Sequence, residues 1–428
     1  MEFSHPKGTY DLIPFASDPK DRWRSSYLWH HVEKFIKDCC ALYGVKEIRT
    51  PIFEKKELFC RSVGQDTDIV SKEMYEFQDR AGRDMVLRPE GTAAVSRAYV
   101  EEKLYISNPI QKLYYIGPMF RYERPQSGRY RQHIQFGAEF IGSNAAEVDV
   151  EAIDLLYTLY SNLGLKGLKV QINSVGDAKA RSEFRQALKD YLAPFAQNLS
   201  ADSQTRLEKN PLRILDSKDL NDQKILENAP ALENYLSAEC KEHFARVLFL
   251  LKQLNIPYII NPKLVRGLDY YHRTVFEITA GELGAQNSVA GGGRYDGLIK
   301  TLGGPDLPAV GFATGLERVI QTLIAQNAPI PNKPTTDLFL IGMGDIAKET
   351  CFLLMKELRT ANISVEMDFS SKKIKDLFRM ADQLGAKYTA VIGDNELLNK
   401  KIAIKDMASR TETTVPLDQV VHFFHKAQ

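Results

Sequence analysis

The stretch from Leu113 to Ile141 constrains the fold of this chain more than any other. Two runs, LYYIGPMFR and RQHIQFGAEFI, flank a polar, strongly basic loop, YERPQSGRY, that turns at Ser127-Gly128. This pattern predicts a β-hairpin. Successive residues of a strand point to opposite faces. In the second run Ile134, Phe136, Ala138 and Phe140 therefore make one apolar face, and Arg131, His133, Gln135, Gly137 and Glu139 make a polar one. The first strand ends on Arg121. An arginine, a glutamine and a glutamate beside a glycine gap suit a ligand carrying both a cation and an anion. A sheet with one solvated face has the same period, so the rest of the chain must decide between them.

Upstream, Trp23 to Tyr43 has helical spacing (Leu28, Val32, Phe35, Cys39, Leu42) and stops at Gly44. VKEIRTPIFE follows as a strand, with Pro51 placing part of it at an edge or a subunit boundary. MVLRPEG is a strand ending in Pro-Glu-Gly, and Thr92 to Lys103 is a helix. Past the hairpin, Glu147–Leu163 is helical and LKVQIN is a strand; residues 177–255 then show helical periodicity rich in Lys, Glu and Gln. A helical block between strands reads as an insertion into a sheet domain spanning 1–176 and 256–325. IPYII and TVFEITA resume the strands, AGGGRYDGL is a glycine-rich turn opening a helix, and VGFATGLERVIQTLI is strand then helix. Residues 326–336, QNAPIPNKPTT, carry three prolines and form a linker. From 337 to 428, strands alternate with helices, which predicts a small α/β domain with a largely parallel sheet.

Bulk properties narrow the function. At 428 residues and 44% hydrophobic content the chain supports two or three domains with real cores. A formal net charge of +1 leaves nucleic acid to be met by local patches. Five cysteines without C-x-x-C spacing fit reduced thiols in a cytoplasmic protein and give neither a disulfide framework nor a zinc site. MEFSHPKGTY has no secretory apolar core, and no run approaches the roughly 20 apolar residues of a membrane helix.

Several local motifs need weighing. No P-loop pattern occurs. Gly342-Met343-Gly344 follows a strand and opens a helix like a dinucleotide fingerprint, but a tight turn explains it, since nothing nearby suggests hydride chemistry. LVRGLDYYHRT, residues 264–274, crowds Arg266, Asp269, Tyr270 and Tyr271 around a glycine. Arg266, flanked by apolar residues, needs either a partner such as Asp269 or a cleft. Arg318 lies opposite the apolar stripe of the GLER helix, either solvated or meeting an anion at its first turn. Lys372, Lys375 and Arg379 share a helix face that is either solvated or a phosphate-backbone patch.

Together these segments resemble a known family. FRYERPQSGRYRQ resembles the second signature motif of class II aminoacyl-tRNA synthetases, GFATGLER their third, and the Pro51 segment the first, which builds the dimer interface. LVRGLDYYHRT and AGGGRYDGL are similar to two segments peculiar to histidyl-tRNA synthetases, and the likeness covers essentially the whole chain. The resemblance implies an α+β architecture: an antiparallel-sheet catalytic domain with a helical insertion, and a C-terminal α/β anticodon-binding domain. It implies a cytoplasmic homodimer that joins L-histidine to its tRNA with ATP, Mg²⁺ travelling with the nucleotide and no protein metal ligands. Arg121, Arg266 and Arg318 match the catalytic arginines. Arg121 and Arg318 would hold the α- and γ-phosphates, with Glu123 on the ATP side.

For the amino acid, Glu90, Thr92 and Gln135 match the α-amino end, Arg266 matches an arginine that reaches the α-phosphate and the substrate carboxylate, and Gly91 and Arg121 also match the histidine-binding set. Glu139 and Tyr271 match the pair that takes the two imidazole nitrogens. Tyr270 matches the pocket edge, and Tyr295 a position near the substrate. Arg124 and Gln126 match residues that read the tRNA acceptor end. Lys7, His272 and the His133-Ile134 pair depart from the usual pattern without touching a proposed catalytic group. A regulatory paralogue in ATP phosphoribosyltransferase shares the catalytic fold, but such chains tend to lack the last domain and to lose the LVRGLDYY arginine; both are present here.

Overall fold

The computed structural model describes residues 3–64, 67–123, 128–268, 270–281, 288–369 and 373–427. The chain divides into two compact units, Met1–Pro331 and Asn332–Gln428. In the first, the strands in chain order are β1 (Lys46–Glu47), β2 (Phe53–Lys55), β3 (Tyr75–Gln78), β4 (Asp84–Leu87), β5 (Gln111–Phe120) and β6 (Gln132–Ile141). They continue with β7 (Leu168–Ser174), β8 (Tyr258–Ile260), β9 (His272–Ala280), β10 (Ser288–Arg294) and β11 (Ala309–Gly315). Among the described residues, eight strands form one sheet in the order β1-β5-β6-β11-β10-β9-β7-β8. Its interior pairings are antiparallel, and only β1 against β5 and β8 against β7 run parallel.

The alternation in β6 sorts the layers. Phe136, Ala138 and Phe140 join one apolar core with Trp29, Ile36, Leu155 and Leu316. Those four come from the helices Ser26–Leu42, Ala146–Asn162 and Leu316–Ala325, which therefore cover this face. The opposite face is left for the polar side chains.

Three expectations about the secondary-structure elements of the first unit need correction. The first helix begins at Ser26, because Pro19–Arg24 forms a 3₁₀ turn ahead of it. VKEIRTPIFE is not one strand: β1 belongs to the large sheet, and β2 to a three-stranded sheet ordered β2-β4-β3. Pro51 has no N–H to continue a ladder. The buried Arg88 instead holds the break, donating to the carbonyls of Thr50 at 2.9 Å, Pro51 at 3.3 Å and Pro118 at 2.9 Å. Third, the glycines of AGGGRYDGL form no turn but the middle of β10, between β9 and β11. A Cβ on Gly292 would collide with the Gly311 carbonyl and with Phe312, so strand neighbours on both sides explain the run.

Between 178 and 253 the elements among the described residues are α and 3₁₀ helices with no strand among them, and Asp177 caps the helix Ala178–Leu192 through the Ala180 N–H at 2.8 Å. In the second unit, β12 (Leu338–Gly342), β13 (Val365–Met367), β14 (Tyr388–Ile392), β15 (Lys401–Asp406) and β16 (Glu412–Pro416) are ordered β13-β12-β14-β15-β16. The first three are parallel, but β15 and β16 pair antiparallel, so the sheet is mixed rather than largely parallel. β16 was hidden because ETTVP is short, polar and mostly exposed. Gly342-Met343-Gly344 is a tight turn, with Gly344 at φ +94°. Lys375 and Arg379 lie on the helix Ile374–Leu384, and Arg379 pairs with Asp376 at 3.2 Å; Lys372 lies outside the described residues. Among the described residues no helix is long and apolar enough to cross a membrane.

Candidate active site

The polar face of the large sheet carries two connected hollows. A cleft of about 1010 Å³ lies between the hairpin and residues 200–219 of the helical block, with Arg121, Glu123, His133 and Glu317 on its wall. A pocket of about 140 Å³ lies deeper, lined by Glu90, Thr92, Gln135, Tyr270, Tyr271 and Tyr295 among others. Arg121, Arg266 and Leu268 line both. Two guanidinium groups thus stand where a small polar pocket opens into a cleft of nucleotide size.

Arg266 reaches this position through a strand that makes room for it. A Cβ on Gly291 of β10 would collide with its guanidinium. Its Nη1 donates to Glu277, which faces the site because β9 neighbours Phe276 and Ile278 face the helix-covered core. Its Nε is buried without a hydrogen-bond partner, while Tyr271 contributes a further side-chain contact, its ring centroid 5.8 Å from the guanidinium. The expected partner Asp269 lies outside the described residues, and the carboxylate that Arg266 meets is Glu277. Sequence reasoning passed over Glu277; a lone acid inside TVFEITA was the available signal.

Glu90 is buried, and its carboxylate accepts the N–H groups of Thr92 at 2.7 Å and Ala93 at 3.0 Å, capping the helix Thr92–Glu101 from just ahead of Gly91. Burial raises its pKa above the usual carboxylate range, and those two N–H groups offset part of the rise. Glu139 is fully buried one layer behind the pocket, accepting Thr92 Oγ1 at 2.7 Å and the Tyr295 hydroxyl at 2.6 Å. Burial pushes its carboxyl up to about 8, against the lowering effect of those two hydrogen bonds. The phenol that touches Glu139 is therefore Tyr295, while Tyr271 stands on the pocket wall. The gap at Gly137 is no ligand space either: the Tyr115 ring of β5 fills it and also abuts Gly91.

Arg121 donates Nε to the Pro89 carbonyl at 2.8 Å. Arg318 is half-buried and donates to the Ser288 carbonyl at 2.7 Å. It packs beside Gly128, a residue of the cleft wall, without lining either hollow itself. Burial and the repulsion of Arg129 both lower its pKa, while Glu277 and Glu123 act the other way. Glu123 pairs with Arg129 at 3.2 Å. His133 is held neutral, its pKa lowered to about 3 by burial and then by Arg121. Glu317 accepts the Ile134 N–H at 2.6 Å, just past the end of β11, and the Tyr10 hydroxyl. This ties the N-terminal GTYDLIP segment to the hairpin, with burial raising the Glu317 carboxyl to about 7. Arg124 and Gln126 lie outside the described residues. Among the described residues no group of three or more His, Cys, Asp or Glu side chains is arranged to hold a metal ion.

Comparison with known proteins gives this geometry a context. Residues 24–319 match the family model for histidyl-tRNA synthetase, and residues 337–427 match that for an anticodon binding domain. The chain is 55% identical to a histidine–tRNA ligase of Protochlamydia amoebophila over 98% of its length and 99% of the relative's. It is 46% identical to that of Bacillus subtilis, over 99% of this chain and 98% of the relative. The crystal structure of apo histidyl-tRNA synthetase from S. aureus superimposes with TM-score 0.82 at 38% identity, covering 99% of this chain and 100% of that one. A structure described as an ATP phosphoribosyltransferase regulatory subunit/histidyl-tRNA synthetase from Bacillus halodurans shares the fold, at 20% identity and TM-score 0.66 over 92% of this chain and 99% of that one. With two family models in sequence and relatives matched end to end, the chain belongs to the histidyl-tRNA synthetase family.

Proposed function

We propose that this chain is a histidine–tRNA ligase whose amino acid sits in the small pocket and whose ATP lies in the adjoining cleft. The observation that carries this reading is the shared wall: Arg121 and Arg266 line both hollows. A carboxylate leaving the pocket and an α-phosphate entering from the cleft would meet there. The histidine carboxylate oxygen attacks the α-phosphorus, the bond to the β-phosphate oxygen breaks, and pyrophosphate leaves. Charge spreads over the phosphoryl oxygens during this step, and fixed guanidinium groups stabilise it without covalent help. Arg318, beside the cleft wall, takes the far phosphates, Glu123 contributes to ATP binding, and Mg²⁺ arrives with the nucleotide.

Glu90, Gly91, Thr92 and Gln135 surround the α-amino group. Tyr271 and Tyr270 meet the imidazole from the pocket wall, with Glu139 reading it from behind Thr92 and Tyr295. A site that satisfies both ring nitrogens leaves buried polar groups unpaired when another side chain enters, which is a strong basis for selection. The terminal ribose hydroxyl of the tRNA then attacks the histidyl carbonyl, the anhydride bond to the adenylate phosphate breaks and AMP leaves, with Arg124 and Gln126 at the acceptor end.

The domain plan is a catalytic domain at 1–176 and 256–325, a helical insertion at 177–255, a linker at 326–336 and an anticodon-binding domain at 337–428. The working protein is a cytoplasmic homodimer. Exposed apolar side chains near Pro51 (Ile52 45%, Phe53 54% and Phe77 42% exposed) support an interface there. Sedimentation at micromolar concentration tests it, a monomer being the adverse result. ATP–pyrophosphate exchange across all twenty amino acids tests the function: exchange with histidine alone is expected. Exchange with none, in a chain that binds ATP phosphoribosyltransferase, would return the regulatory reading.

A further inference from the structure

The helical block is joined to the amino-acid pocket by more than chain connectivity. Its core, built from Phe184, Leu188, Leu192 and Ile214, also takes in Leu264, Tyr271 and Val275. Those three belong to the LVRGLDYYHRT segment and to β9, so this wall of the pocket packs on the insertion's apolar interior. Two arginines cross the boundary in opposite directions. Arg181, on the first insertion helix, donates Nη1 to the Tyr271 backbone carbonyl. Arg273, two residues after Tyr271, pairs with Glu239 on the last insertion helix.

Between those two clamps the backbone is in an unfavourable conformation. Arg273 has φ +53°, a left-handed region that a long L side chain adopts only when its surroundings impose it. The surroundings are visible. The Val175 N–H donates to the Arg273 carbonyl at 2.7 Å, and the Arg273 N–H donates to the Gly176 carbonyl at 2.9 Å. Both partners lie just where the chain leaves β7 for the insertion.

We propose that the helical insertion sets the position of Tyr270 and Tyr271, with Arg181 and the Arg273–Glu239 pair as its positioning residues for histidine selection. This rests on the reading of Tyr270 and Tyr271 as imidazole contacts. The Arg181 anchor grips the Tyr271 backbone rather than the insertion residues 200–219 on the cleft wall, so loosening it weakens histidine binding more than ATP binding.

The test is histidine-dependent ATP–pyrophosphate exchange with each substrate varied in turn. Arg181→Met is expected to raise KM for histidine about tenfold while KM for ATP stays within about twofold, and Arg181→Lys to recover part of the loss. Arg273→Gly is the control for folding, because glycine adopts positive φ freely. It is expected to melt no lower than the parent and still to raise KM for histidine several-fold, as the Glu239 clamp is gone. If both variants keep the parental KM for histidine while Tyr271→Phe raises it, the insertion has no positioning role and the site reading survives. If Tyr271→Phe also leaves KM unchanged, that reading fails and this inference with it.

Discussion

Strand β10 passes two arginines that differ in both burial and the partners that serve them. Arg294, its last residue, has a fully buried side chain, ion-paired to both Asp149 and Asp296 and donating to the carbonyls of Ser143 at 3.0 Å and Ala145 at 3.2 Å. Burial works most strongly against its charge, yet Asp149 and Asp296 together outweigh it and the pKa rises. Arg266, lying over Gly291 of the same strand, has one carboxylate partner, a buried Nε with none, and a side chain 23% exposed toward two hollows. One guanidinium is saturated and serves the fold. The other is left under-supplied where a ligand with acidic oxygens would complete it. For this pair, greater exposure and a spare donor go together at the arginine that faces the hollows.

That contrast fails if the two respond alike to truncation. Arg294→Ala leaves the buried Asp149 carboxylate with His243, 3.3 Å away, as its remaining charge partner and is expected to cost up to about 3–5 kcal/mol of stability, read by chemical denaturation of the whole chain. Arg266→Ala should leave the denaturation midpoint nearly unchanged and cut histidine-dependent pyrophosphate exchange by more than about a hundredfold. Gly291→Ala sharpens the comparison from the strand side. Its methyl displaces the guanidinium without removing it, for an expected loss of about tenfold in exchange, short of full misplacement.

The effect that is smallest over any one pH unit is a pH slope. Glu139 has its pKa raised to about 8 in the fold, so the native state holds a proton that the unfolded chain has released above about pH 4.5. Its stabilising contribution is complete below that pH and is lost as pH rises toward 8. Glu139→Gln should flatten this fall by at most about 1.4 kcal/mol per pH unit, measured as denaturation midpoints across the range.

Much of the fold was legible because periodicity is local. The parity of β6 correctly sorted Phe136 and Phe140 from Gln135 and Glu139, and the spacing in Glu147–Leu163 marked its helix within a residue at each end. What failed shares a cause. The glycines of β10 read as a turn because glycine is usually a turn residue, whereas here they are demanded by Arg266, Phe312 and the Gly311 carbonyl, all distant in sequence. The gap at Gly137 read as ligand space because nothing in β6 announces the Tyr115 ring from β5. Glu277 was passed over because a single charge in an apolar strand has no meaning until its partner is known.

The sequence by itself determined the alternation of the hairpin, the helical texture of residues 177–255, the break near Pro331 and the family, since each depends on neighbours along the chain or on motif order. Only the tertiary structure decided that Arg121 and Arg266 share a wall between two hollows, that Glu139 accepts the hydroxyls of Thr92 and Tyr295, and that Arg294 is fully partnered while the Arg266 Nε is not. The reason is physical. Side-chain periodicity is set by backbone geometry within a few residues, whereas the supply of hydrogen bonds and counter-charges to a buried group comes from strands and helices that meet only when the chain has folded.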